Sequence, residues 1–313
     1  MKKPFYPALE PYNFGGLEEE DYKKAKVVIL PVPYEGTVSY GTGTSKGPNA
    51  IISASRQVEL FDIELQKETY KKTPIFTLPF LQPSVNSVLE MLQRVEKVVG
   101  DILKDNKFPL IIGGEHSISW GAINAFTPLE VNGLTKNHKT NRPLTGFKKK
   151  YKNFKNFSVL QLDAHTDLRD EFESSKYSYA AVIRRVKDLG LNVTAVGIRS
   201  MSKEEADYIK QKKLKNIFLA PALPIDKIID SLAKNVYLTF DLDVFDPSIM
   251  PSVGTPEPGG LGWYEVLSLI KKVAQKRKIV GADIVELSPI PGITSPDFLA
   301  AKLIYKIIGY IFR

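Results

Sequence analysis

The chain of 313 residues has no cysteine and only three histidines. The missing thiols exclude a disulfide framework, thiolate metal sites and a cysteine nucleophile, and they fit a reducing cytoplasm. No stretch approaches the ~18 apolar residues of a membrane helix. The first twenty residues, MKKPFYPALEPYNFGGLEEE, lack the apolar core of a secretory signal, so a cytoplasmic location is expected. Acidic residues are missing from one long segment. Between Glu130 and Asp163 there is none, while Lys136, Lys139, Arg142, Lys148, Lys149, Lys150, Lys152 and Lys155 crowd together. Those eight charges equal the whole net excess of +8. The basic balance thus describes one loop, an insertion at about 131–157, and is no property of the fold. A solvated loop is the expectation there, ahead of a nucleic-acid or acidic-partner patch.

What is present is a core-forming composition, 43% apolar, arranged in alternating strand-like and helix-like segments. Short runs such as Lys26–Pro31, Phe108–Ile112, Ser158–Leu162, Val193–Gly197, Val236–Phe240 and Ile279–Leu287 read as buried strands. Helical periodicity separates them. The clearest case runs from Ser84 to about Asn106, with Val85, Val88, Leu89, Leu92, Val95, Val99, Ile102 and Leu103 on one face and Ser84 as N-cap. Ser202 to Glu205 reads as a capping box. Near-continuous apolar strands imply a parallel sheet covered on both faces. The expectation is one domain over residues 1–313, a three-layer α/β/α sandwich with a mostly parallel sheet.

Three polar clusters follow three of these strands. QLDAHTDLRD at 161–170 places Asp163, His165 and Asp167 at spacing two, so an extended backbone points them the same way. GGEHS at 113–117 places His116 just beyond Ile112. FDLDVFDP at 240–247 places Asp241 and Asp243 just beyond Phe240. In open parallel sheets the carboxyl edge is where ligands bind. Four carboxylates and two imidazoles are more than one divalent ion needs. Two ions sharing carboxylate oxygens would use them all, and would make a shared water nucleophilic near neutral pH. The donor set favours Mn²⁺, with Zn, Fe or Co as alternatives.

These residues carry a resemblance. PYEGTVSYGTGTSKGP, GGEHS, DAHTDLRDEFESSKYS, VGIRS, DLDVFDPSIMPSVGTPEPGGL and VELSP together resemble the ureohydrolases, the arginase and agmatinase group, and the agmatinase branch best. The resemblance implies an arginase-like α/β/α fold and two Mn²⁺ per chain. One ion would take His116, Asp163, Asp167 and Asp241, the other His165, Asp163, Asp241 and Asp243. It implies that Glu286 pairs with a substrate guanidinium, that Thr255 lines the pocket, and that the chain forms homo-oligomers. The implied reaction cleaves a guanidino compound, agmatine first, to putrescine and urea. Arginine, guanidinobutyrate or a formimino compound are the alternatives within the class. A weakly catalytic, metal-bound protein that binds a polyamine or a partner is the alternative outside it. No membrane or nucleic-acid partner is expected.

One position departs from the family pattern. Where the family reads YSHA, this chain has Tyr177 to Ala180 as YSYA, so Tyr179 replaces the histidine thought to carry a proton to the leaving amine. A phenol with a pKa near ~10 donates a hydrogen bond but is a poor base at neutral pH. With His116 and His165 assigned to metal, only His138, inside the basic insertion, is left.

Overall fold

The computed structural model describes residues 9–127 and 154–313. His138 and most of the basic insertion lie outside the described residues. The elements in chain order are β1 (Val27–Val32), α1 (Gly47–Ser55), β2 (Phe61–Asp62), β3 (Lys67–Glu68), α2 (Thr69–Lys72), β4 (Ile75–Thr77), α3 (Val88–Lys104), β5 (Phe108–Gly113), α4 (Ile118–Asn124), β6 (Phe157–Leu162), α5 (Val182–Asp188), β7 (Asn192–Ile198), α6 (Lys203–Lys212), β8 (Ile217–Leu219), α7 (Ile225–Ser231), β9 (Asn235–Asp241), α8 (Trp263–Lys276), β10 (Lys278–Val285) and α9 (Ser295–Ile311).

Eight strands form one sheet in the order β4-β1-β5-β10-β9-β6-β7-β8, and every pairing in it is parallel. Alternation along each strand sends side chains to two separate cores. On one face Ile29, Ile112, Leu162, Leu238 and Phe240 pack with residues of α1, α7, α8 and α9. On the other, Leu30, Ile111, Val159, Tyr237 and Val285 pack with α3, α4 and α5. The result is the three-layer α/β/α sandwich in a single domain. Among the described residues, no helix is long and apolar enough to cross a membrane.

Helix α3 shows how local sequence and packing combine. Met91, Leu92, Val95 and Val99 recur on one face and are fully buried. Burying each such side chain contributes about 1.5–3 kcal/mol, and an Asp at Val95 would strand a charge in that core. The helix starts at Val88, with Ser87 as N-cap accepting the Glu90 N–H. The periodicity overran this start. Val85 is 96% exposed, and the Ser84 hydroxyl accepts the Asn86 N–H instead of capping. Helix α9 begins at Ser295, four residues before the apolar run, with Pro296 in its first turn. It is buried nearly all round from Ala300 to Tyr310, and not amphipathic, because it sits between α1, α8 and the β2–β3 hairpin. That hairpin gives no sequence signal, each strand being two residues long. The Ser202 capping box is present, reciprocated by Glu205.

The sheet order matters for function. Strands β5 and β6 follow one another among the described strands, yet β10 and β9 lie between them. The chain therefore reverses its direction of winding here, and the crevice at such a reversal lies beyond the carboxyl ends of the strands.

Candidate metal centre and substrate cleft

Four adjacent strands deliver the polar clusters to one place. The turn after β5 carries His116. The segment after β6 carries Asp163, His165 and Asp167. Strand β9 ends at Asp241, and the single 3-10 turn Leu242–Val244 behind it holds Asp243. Glu286 follows the last residue of β10. The GGEHS turn fits this tightly because Gly114 has no side chain. A Cβ there would lie 1.9 Å from the Tyr34 carbonyl oxygen.

The six candidate ligands converge. His116 Nδ1 lies 3.0 Å from Asp167 Oδ2, 3.2 Å from Asp163 Oδ2 and 3.3 Å from Asp241 Oδ2. His165 Nδ1 lies 2.8 Å from Asp243 Oδ2 and 3.7 Å from Asp163 Oδ1. One ligand atom from each of His116, Asp163 and Asp167 fits within 4.8 Å, as does one from each of Asp163, His165 and Asp243. Asp163 belongs to both groups, one oxygen toward each imidazole. The buried His116 Nδ1 faces three carboxylates but is not angled to hydrogen-bond any of them.

The electrostatics are those of a cluster short of positive charge. Burial, reinforced by Asp167 and Asp243, pushes the Asp163 carboxyl up to about 7. Burial and neighbouring carboxylates push Asp241 well above its usual range, and burial also raises Asp167. Only Asp243 is held low, because His165 outweighs its burial. Burial opposes charge on both imidazoles, but the surrounding carboxylates win, carrying His165 up to about 11 and His116 well above its ordinary value. Buried carboxylates packed this closely resist ionisation unless a cation joins them. An unbonded ring nitrogen aimed among them, with a shared aspartate, fits divalent ions in donor type and in placement.

Further hydrogen bonds fix the donors. Gln161 Nε2 donates to Asp163 Oδ2 at 2.8 Å and the His165 N–H donates to Asp163 Oδ1 at 2.5 Å. The Ala164 N–H holds Asp243, and the Asp243 N–H holds Asp241. His116 Nε2 lies 2.9 Å from Thr239 Oγ1, which donates to Asp283 Oδ1 at 2.7 Å. Tyr237 closes this buried network on Asp283 Oδ2. Such outer partners set the tautomer and orientation of a ligating imidazole. Gln161, Thr239 and Asp283 read only as strand residues in the sequence, since nothing there reveals which interior polar group backs which ligand.

A cleft of about 280 Å³ opens above this cluster, lined among others by His165, Asp167, Asp241, Asp243, Thr255 and Glu286. Glu286 has φ +69°, a left-handed conformation that disfavours non-glycine residues. It is held there by two bonds to the β5 turn: its N–H donates to the Gly114 carbonyl at 2.8 Å and its Oε1 accepts the His116 N–H at 2.6 Å. Burial raises the Glu286 carboxyl to about 8 against the opposing charge of His116, and among the described residues no lysine or arginine pairs with it.

Tyr179 lines the same cleft. Its N–H donates to Thr37 Oγ1 at 3.1 Å, and its phenolic oxygen is 2.7 Å from Ser39 Oγ. Thr37 in turn is tied to the fully buried Glu115, which accepts its N–H and hydroxyl and the Gly36 N–H. The loop after β1 therefore forms one wall of the cleft, with Val38, Tyr40 and Gly41 lining it. Arg199 ties down the segment after β9. Its guanidinium donates to the carbonyls of Asp243 at 2.7 Å, Phe245 at 3.2 Å and Glu257 at 2.8 Å.

Comparison with known proteins agrees with this geometry. Residues 25–309 match the Arginase family model. The N(1)-aminopropylagmatine ureohydrolase of Synechocystis sp. is 38% identical over 92% of this chain and 90% of its own length. The agmatinase of Pyrococcus horikoshii is 30% identical over 92% of this chain and 93% of its own. The crystal structure of agmatine ureohydrolase of Thermoplasma volcanium superposes with a TM-score of 0.78 at 32% identity, covering 93% of this chain and 92% of that one. The chain belongs to the arginase family, in its agmatinase branch, and is a ureohydrolase, a hydrolase acting on guanidino compounds.

Proposed function

We propose that the chain hydrolyses a linear guanidino amine, N(1)-aminopropylagmatine or its shorter form agmatine, releasing urea and the free polyamine. The observation that carries this reading is the buried Glu286 carboxyl, with no ion-pair partner among the described residues, in a cleft it shares with His165, Asp167, Asp241 and Asp243, above the buried His116 and Asp163. The names of these relatives support both substrates.

His116, Asp163, Asp167 and Asp241 would hold one divalent cation, and His165, Asp163, Asp241 and Asp243 a second, with Mn²⁺ best suited to this oxygen-rich set. When bound, the pair supplies the positive charge that makes a water nucleophilic near neutral pH. The chain's own residues do the rest. Glu286 accepts two parallel N–H bonds from the guanidinium, a charge-assisted geometry that fixes the plane of the substrate. Orientation lowers the barrier by setting the guanidino carbon before the attacking oxygen. Thr255 lines the same cleft. Tyr179 can donate a hydrogen bond there, but at neutral pH it cannot accept a proton as an imidazole does.

The test is urea release from a substrate panel at saturating Mn²⁺: agmatine, N(1)-aminopropylagmatine, arginine and guanidinobutyrate. Turnover of the two amines above the two acids is expected. Urea from none of them would remove the reading.

A further inference from the structure

The mouth of the cleft has features that the guanidino end of a substrate does not use. Tyr40 lines it and is 79% exposed, and Met201 lines it at 37%. Large apolar groups left in water at a cleft commonly mark a contact surface. Phe172 lines it too, edge-on to Tyr179 with ring centroids 5.8 Å apart. Thus the wall continues as aromatic and thioether surface from Tyr179 outward, which suits a polymethylene chain.

Beside Phe172 the backbone makes a tight turn. The N–H and carbonyl groups of Phe172 and Ser175 bond reciprocally at 3.0 and 2.9 Å. The two central residues, Glu173 and Ser174, have φ of +47° and +63°. Turns of this hand favour Asn and Gly, so this one holds an exposed glutamate at a fixed place next to the aromatic wall. Its charge reaches the Tyr179 phenol, where it adds to burial in holding the phenolic proton. Arg169 also lines the cleft, its guanidinium 5.1 Å over the Phe172 ring. That charge disfavours an ammonium group alongside it, and Glu173, the residue next to Phe172, carries a carboxylate that can offset it. Glu257, by contrast, lies near the inner end, 3.7 Å from His165 Nε2.

We propose that Tyr40, Phe172, Met201 and the Glu173 carboxylate form an outer subsite that binds the far, cationic amine of a long linear guanidino substrate. This rests on the function proposed above and names what selects the longer substrate. Methylenes pass along the rim, and the terminal ammonium takes the carboxylate and an aromatic face.

The experiment compares kcat/KM for N(1)-aminopropylagmatine and for agmatine in wild type, Glu173→Gln and Tyr40→Ala, with Mn²⁺ present. Both side chains are exposed, so both variants should fold. The ratio of long to short substrate should fall about threefold to fivefold in Glu173→Gln, the scale of an exposed ion pair, and similarly in Tyr40→Ala. An unchanged ratio in Glu173→Gln overturns the subsite. A calorimetric titration with spermidine, the triamine left when urea departs from the long substrate, separates the two levels of the argument. If wild type makes no urea from either compound, the proposed function fails. The subsite then stands if Glu173→Gln weakens spermidine binding about threefold, and falls if the affinity is the same.

Discussion

Glu286 Oε1 accepts the backbone N–H of His116 at 2.6 Å, and this bond joins the end of β10 to the turn after β5. The same carboxylate is thereby fixed beside the donor cluster and turned into the cleft. Replacing Glu286 with Gln keeps an oxygen for His116 but removes the charge offered to a guanidinium. A charged hydrogen-bonded pair is worth about 1.5–3 kcal/mol. Catalytic efficiency should drop by about two decades, with metal content intact. Steady-state kinetics beside metal analysis check this, and an unchanged kcat/KM would make Glu286 a purely structural residue.

The two imidazoles meet through Asp163, whose oxygens face one each. Asp163→Ala should therefore lose both cations and all turnover, and Asp241→Ala should do the same. His116→Ala should empty mainly one position. Atomic absorption on dialysed protein reads the stoichiometry. Two cations retained in Asp163→Ala would end its bridging role. Chelation of the native protein should lower Tm, because ions that bind only the folded state stabilise it by mass action. The cluster of buried acids left behind is self-repelling.

How far the sequence reveals this arrangement differs by element. The parallel sheet is legible because near-continuous apolar strands such as β1 and β5 are buried over their whole length. The clustering of candidate ligands is legible because Asp163, His165 and Asp167 alternate just beyond an apolar strand, where packing alone does not call for them. Strand order is not legible. Nothing in the spacing says that β9 and β10 insert between β5 and β6, and that insertion is what gathers the clusters. Val85 continued a helical period that the chain does not follow, since an apolar residue at the right interval carries no record of where the cap sits. The wall built by Ser39 and Thr37 depends on contacts about 140 residues distant along the chain, beyond any local pattern.

A second network tests stability apart from catalysis. In α9, Lys306 is buried and lies 3.0 Å from Asp62 and 2.6 Å from Glu64, while Lys271 and Tyr310 also bond Glu64. Burial pushes the Glu64 carboxyl up, but these three donors outweigh it and hold it at about 2. Its folded value lies below the ordinary ~4.3. Its contribution to stability is therefore fully present above about pH 4.3 and is lost as pH falls through about 2. Lys306→Met leaves Asp62 buried without its cation and should cost about 3 kcal/mol. Urea melts at pH 7 and near pH 2 measure both effects. A variant as stable as wild type at pH 7 would show that the pair's desolvation cancels its attraction.

We propose that Tyr179, in the wall of the cleft, limits the reaction at neutral pH. Burial raises its phenol above the ordinary value, the Ser39 bond opposes this, and the charges of Asp167, Glu286 and Glu173 add to the rise. The phenol thus stays protonated across the neutral range. It can orient a water or the substrate, but it does not exchange protons with the leaving amine there. The wild type should be slow at pH 7 and gain rate as pH rises. General acid–base assistance is typically worth ~10²–10⁴-fold. Tyr179→His places a group with a pKa near ~6.5 at the cleft, and should recover part of that factor and move the optimum toward neutrality. Profiles of kcat from pH 6 to 10 for wild type, Tyr179→His and His138→Ala separate the causes. Loss of wild-type activity in His138→Ala would assign the proton transfer to the basic insertion. Rapid neutral turnover of wild type, with all three profiles superimposed, would mean that proton transfer at this position does not limit the reaction.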